Sequence, residues 1–447
     1  MKRVLKFLKW VGISLGALLA LFIGINAFDE TLDPGAASII NAQSKIKPEE
    51  NAYLFLVGLR APPDRAPDEF GQECVTRLVN ISKSHKETVA LFASGKTGCT
   101  DEKSWLAGKD ISAISCESKQ KSCLSHYQEQ SAAIKQVALS NKLLLQRYER
   151  LLTFKHFDDA SYLNLLTIAL FYDPVNELHA ALSAAKLQDG DTEAFIQRTA
   201  NQARFYRMIL RDSGNFSSKL VALVYLHRVA SLVSDAVREN PKLAREHEAI
   251  LLSLAQPFTV GDRSLEGVMV AELRYLASTL SLDRYGERPL FDKLWDVFSY
   301  RYNATLNRFY RNISGWRDLS RLPTEQYLSA EKSALARVEE PLHDGYLHMV
   351  YNPVGKILLG IGYPAYAQFP WRIIDSDGRL RLTSLQIQIA AQNISESDIP
   401  AFLKNADPKL RDPYTGQPMQ WDKTRGLYFP GHSDRITDKD GFVSVKL

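Results

Sequence analysis

Apolar and polar residues alternate differently in successive parts of this chain, and each pattern predicts its own kind of element. From Trp10 to Phe28 the run WVGISLGALLALFIGINAF carries no charge and one strongly polar side chain, Asn26. A helix needs about 20 such residues to cross a bilayer, so residues 10–28 are expected to be a single transmembrane anchor. Lys2, Arg3, Lys6 and Lys9 precede it in a basic tail, residues 1–9, and Asp29 and Glu30 end it. Basic flanks stay in the cytoplasm. The rest of the chain is therefore expected in the periplasm, outside the inner membrane of a Gram-negative bacterium. The competing reading is a cleaved signal peptide, which needs a shorter apolar run and a small-x-small cleavage site. Ile25-Asn26-Ala27 places a bulky residue where a small one belongs.

From Ser125 onward, apolar residues recur at helical spacing. Ile134, Val137, Leu144, Tyr148, Leu151 and Leu152 share one face of 125–154. The same period predicts helices near 159–172, 174–187, 192–211, 216–239, 241–254, 264–281, 289–312 and 324–338. Breakers such as Asp173-Pro174, Asp189-Gly190 and Asn240-Pro241 separate them. Helix lengths are irregular and no motif recurs at the period of about 34 or 40 residues that helical solenoids show. The expectation is a mainly α fold whose centre, residues 125–340, is a large irregular helical domain.

The flanks of that domain are patterned otherwise. Residues 29–124 open as a stalk with turns over 29–50. An apolar run comes next at 52–59, AYLFLVGL, which periodicity leaves open between strand and helix. The loop RAPPDRAPDEFG and a cysteine-bearing segment complete the region. Residues 341–447 are expected to be a small mixed α/β region. It begins with a Gly/Pro-rich link, NPVGKILLGIGYPAYAQFPW. A segment over 379–392 comes next, open between strand and helix with helix preferred, then a short helix in DIPAFLKNA, paired strands in PMQWD and GLYFPG, and a last strand in FVSVKL.

Cysteine placement supports an exported chain. Cys74, Cys99, Cys116 and Cys123 lie close together, an even and clustered set that reads as disulfides outside the cytoplasm. Three pairings are possible; the compact loop Cys116–Cys123 is preferred, leaving Cys74 with Cys99. The spacing in CESKQKSC is wider than the C-x2–4-C of zinc sites. A formal net charge of +4 over 447 residues argues against a nucleic-acid partner.

Signatures of catalysis are sparse. FASGKTGCT contains the Gly95-Lys96-Thr97 core of a phosphate-binding loop, but Ala90 stands where its first glycine belongs, so no nucleotide is expected. There is no H-E-x-x-H and no G-x-S-x-G, and no cofactor is anticipated. Glycan cleavage would need a carboxyl in an apolar pocket. Glu272 in VMVAELRYL is the first candidate and Glu177 in DPVNELHAAL the second, each against the alternative of a solvated helix edge. Arg301, Tyr302, Arg308 and Tyr310 could form an aromatic–basic interaction surface, or else belong to a core helix with its arginines in water.

The closing stretch Asp412-Pro413-Tyr414-Thr415-Gly416-Gln417-Pro418, with Trp421, Gly426 and Tyr428, resembles a tail of uncharacterised exported, membrane-anchored proteobacterial proteins. It is also similar, over its last thirty-five or so residues, to the C-terminal β region of secretion-system pseudopilins. The chain lacks their prepilin cleavage motif with its following Glu. The resemblance implies a small β-hairpin cap in a bacterial envelope setting. Some such tails hold calcium, for which Asp434, Asp438 and Asp440 offer oxygens. Together these features point to a membrane-anchored periplasmic binding or scaffold protein with an envelope protein partner. A peptidoglycan-active or other hydrolase is the first alternative, and an accessory factor for secretion or pilus assembly the second.

Overall fold

The computed structural model describes residues 2–94, 109–116, 122–164, 166–167, 174–285, 299–327, 330, 350–367, 369–433 and 436–447. The chain is mainly helical. Helix α1, Lys2–Ile25, stands apart from the body: its span Arg3–Ile25 is long and apolar enough to cross a membrane and is 0% buried within the protein. The helix therefore starts before the predicted span 10–28, taking in the basic tail, and stops at Ile25, short of its predicted end.

The segment after α1 is no loose stalk. Asn26 is fully buried; its amide donates to the Val350 carbonyl at 2.7 Å and its oxygen accepts from the Asn352 amide at 2.9 Å. Asp29 caps a distant helix, accepting from the Asn303 and Ala304 amides at 2.9 and 3.0 Å. The chain then forms α2, Pro34–Asn41, with Asp33 as its N-cap and Ala36 buried.

Short helices come next: α3, Ala52–Val57; α4, Pro67–Ile81; and α5, His85–Ser94. The ambiguous run at 52–59 is thus a helix, with every residue of α3 buried. It crosses α4 so closely that a Cβ on Gly71 would sit 1.8 Å from the Leu54 carbonyl oxygen. The proline-rich loop before α4 is pinned by buried Arg147, which donates to the carbonyls of Pro62 and Arg65 at 3.0 and 2.9 Å.

Residues 125–154 divide into α6, Cys123–Glu129, α7, Ser131–Ser140, and α8, Lys142–Leu151. Asn141 causes the second break. Its buried amide exchanges 2.9 Å bonds with both backbone groups of Lys109, so side-chain bonding to another segment replaces helical continuity. The first half of the predicted 159–172 helix holds only a 3-10 turn at Ala160–Tyr162, and the rest lies largely outside the described residues.

Then the expected helices appear: α9, Pro174–Gln188; α10, Thr192–Asp212; α11, Phe216–Glu239; α12, Pro241–Leu254; and, after a short α13, Val260–Arg263, which the periodicity does not predict, α14, Glu266–Tyr285. Asp191 and Asn215 cap α10 and α11 through their side chains, as Asp/Asn N-caps do. Helix α15 occupies Tyr302–Arg321, beyond the predicted end at 312. Helix α16, Pro353–Ala367, replaces the expected link, with Pro353 in the first turn, where proline is tolerated. Helix α17, Phe369–Ala391, begins ten residues before the predicted 379, and α18, Ile399–Asn405, comes after it. A three-stranded antiparallel sheet closes the chain: β1, Gln420–Asp422, β2, Gly426–Pro430, and β3, Phe442–Val445, in order β1-β2-β3.

Two hydrophobic cores meet on α17. The first runs from Ala52 to Leu265 and takes Phe369, Ile373, Leu380 and Ile387 of α17. The second gathers α14, α15 and the C-terminal strands around Ile374, Leu382, Leu385 and Ile389 of the same helix. Buried on both sides, α17 shows little amphipathic contrast.

Candidate functional site

Helix α11 presents His227, Ser231, Ser234, Asp235 and Arg238 along one side, at the three- and four-residue steps that align side chains on a helix. The other side of this apolar helix is sealed by the first core. This polar row forms one wall of a cavity of about 440 Å³. Arg379 of α17 forms a second wall, Ser444, Val445 and Lys446 a third, and the Cys116–Cys123 disulfide with Ser122 a fourth. That volume suits a small-molecule site.

The wall charges are unbalanced. Arg228, Arg238, Arg379 and Lys446 face the cavity, and among the described residues Asp235 is the one acidic side chain lining it. Asp235 is engaged by Arg238 at 2.9 Å and by the Ser122 hydroxyl at 2.8 Å. Arg228 pairs with Glu177 behind the wall. Arg379 differs. It donates through Nη2 to the Ser231 hydroxyl at 3.0 Å, while its buried Nε finds no partner among the described residues. Burial, only partly offset by Asp235, pulls this guanidinium down to about 10. Burial and the adjacent Arg379 also push His227 well below its ordinary value, so it stays neutral. An anion entering the cavity would meet a guanidinium that, among the described residues, has no carboxylate bonded to it; its unpartnered Nε lies buried behind the wall.

The disulfide is positioned by one carboxylate. Glu177 of α9, 1% exposed, accepts from the Cys116 amide at 3.0 Å, from the Tyr127 hydroxyl and from Arg228. This candidate is therefore buried, not on a solvated edge. Its oxygens are occupied by donors that tie the disulfide loop, α6 and α11 together. Glu272 lies half-buried on α14, which packs in the second core, so the two carboxyls belong to different parts of the molecule and do not face one bond.

The other predicted sites are dispersed. Cys116 pairs with Cys123 as preferred; Cys74 is buried in α4, and Cys99 lies outside the described residues. Arg301 is buried, and the Tyr302 hydroxyl donates to the Ala277 carbonyl at 3.0 Å. Tyr310 packs against the second core, with its hydroxyl over Gly35, and Arg308 is half-buried. Helix α15 is thus a core helix whose aromatic side chains are turned to structural use. In the tail, Asp438 accepts from the amides of Asp440 and Phe442, and Asp440 pairs with Arg425 at 3.0 Å. Asp434 lies outside the described residues, and among the described residues no group of His, Cys, Asp and Glu is arranged to hold a metal.

No family model, curated protein or solved structure matches this chain.

The cavity residues escaped sequence reasoning because they come from four separated segments. The one local trace was the polar row in LHRVASLVSDAVRE, which interrupts an otherwise apolar helix.

Proposed function

We propose that this protein is a membrane-anchored binding protein of the bacterial envelope. Residues 10–28 hold it in the inner membrane, its mass lies in the periplasm, and the cavity between α11 and α17 takes up a small anionic ligand. The observation that carries the reading is Arg379: a buried guanidinium on a cavity wall with, among the described residues, an unpaired N–H and no carboxylate bonded to it. Retention of the anchor is supported by Asn26, whose buried side chain bonds two backbone groups of the body and would be lost on cleavage after Ala27. The periplasmic setting is supported by the Cys116–Cys123 disulfide at the cavity wall.

Binding is favoured over hydrolysis because Glu177 is engaged by three donors and Glu272 lies away from the cavity. The test is thermal unfolding of the full-length chain in detergent with inorganic phosphate, diphosphate and succinate, beside Arg379→Gln. An anion at about 100 times its Kd stabilises by about 2.7 kcal/mol. That stabilisation should appear in the native protein and vanish in Arg379→Gln. Equal response of both proteins, or of neither, would refute anion binding at Arg379.

A further inference from the structure

The chain at the exit of α1 is built into the body and carries exposed apolar side chains. Phe28, three residues past the helix, is 80% exposed. The Tyr351 hydroxyl donates to its carbonyl at 3.4 Å, and Asn26 joins the chain at Val350 and Asn352. Helix α16 begins at the next residue. On it, Lys356 and Leu359 are buried, while Ile357 and Leu358 between them are 50% and 41% exposed. A step of 100° per residue puts the first two on the body side and the second two on the outer side. Leu358 lies six residues, about 9 Å of helix rise, from the bond to Asn26. Among the described residues, the other exposed large apolar side chains beyond α1 are Val89, Leu139, Leu143, Val224, Val260 and Leu447, spread over other elements.

Bilayer dimensions place this surface. Counted from Trp10, the first residue after Lys9, α1 rises about 24 Å before it ends at Ile25. The hydrocarbon core is about 30 Å thick. The shortfall of about 6 Å draws Asn26, Phe28 and the segment bonded to them to the outer edge of the hydrocarbon. We infer that the outer face of α16 lies on the same bilayer that holds α1, with Phe28, Ile357 and Leu358 seated at the boundary between headgroups and acyl chains. The body is then fixed against the membrane by two elements and does not swing on a tether. This inference rests on residues 10–28 spanning a bilayer.

The experiment introduces benzoyl-phenylalanine singly at Ile357, Leu358 and, as a distant control, Leu139, in the full chain reconstituted into phosphatidylethanolamine–phosphatidylglycerol vesicles and in native membranes. All three positions are exposed, so the probe leaves packing intact. After irradiation, phospholipid adducts are expected at 357 and 358, at least tenfold above those at 139. Adducts no more frequent than at 139, or adducts to another protein in their place, would overturn the inference. Alkaline carbonate extraction distinguishes failure of the anchor from failure of the docking. A chain stripped from membranes by carbonate would sink the anchor itself; a chain that stays while 357 and 358 remain free of lipid would sink only the docking of α16.

Discussion

Glu177 shows how one buried side chain can hold a site without acting in it. It gathers the Cys116 amide, the Tyr127 hydroxyl and Arg228. Breaking a buried pair leaves an uncompensated charge and costs about 3–5 kcal/mol. Glu177→Gln keeps the shape but strips the counter-charge from Arg228, so the unfolding free energy should fall by an amount of that order and the thermal midpoint should fall with it. An unchanged midpoint would mean that Arg228 is satisfied by other groups. Lys219 gives a prediction in pH. It is fully buried, donates to the Leu210 carbonyl at the end of α10, and is lowered from 10.5 to about 8, chiefly by burial. Between those values the unfolded chain binds the proton and the folded chain does not, so stability should rise with pH across about 8 to 10.5. The full rise would be on the order of 3 kcal/mol. Lys219→Met should remove that part of the slope; an identical slope in the variant would contradict the assignment.

At the scale of elements, helices with a clear apolar period or a clear start signal were legible, and α17, buried between two cores, was only partly so. Helices α10, α11 and α12 follow their apolar period and side-chain or proline start signals to within a residue. Helix α17 was only half visible because Asp375-Ser376-Asp377-Gly378 reads as a turn. The helix carries those residues through because each acid has partners brought by the fold. Asp375 accepts from the Tyr414 hydroxyl and the Ser433 amide at 2.6 Å each, and Asp377 pairs with Arg381 at 2.7 Å. Gly378 is required by contact: a Cβ there would stand 2.1 Å from the buried ring of Phe429 in β2. Gly378→Ala must displace that ring, and overpacking of this kind costs about 1–3 kcal/mol. The loss should show first as faster amide exchange in β2 and β3 than in α10. Unaltered exchange in the strands would mean that the ring has somewhere to go.

Across the whole molecule, the mainly α class, the short C-terminal strands and the Cys116–Cys123 loop could be read from local patterns. The cavity could not. Its walls come from residues near 116, 227, 379 and 446, brought together only when α17 packs between two cores. The same separation hid the joint between Asn26 and Asn352, which turns an expected tether into a fixed connection. Tertiary partners decided both outcomes, and neither spacing nor composition carries a record of them. The central claim is that Arg379 awaits an anion, and native mass spectrometry of the full-length protein, purified gently from the cells that make it, tests it most directly. A small bound acid should appear on the native chain and be missing from Arg379→Gln purified in the same way. A bare chain in both preparations, or the same adduct in both, would contradict the claim.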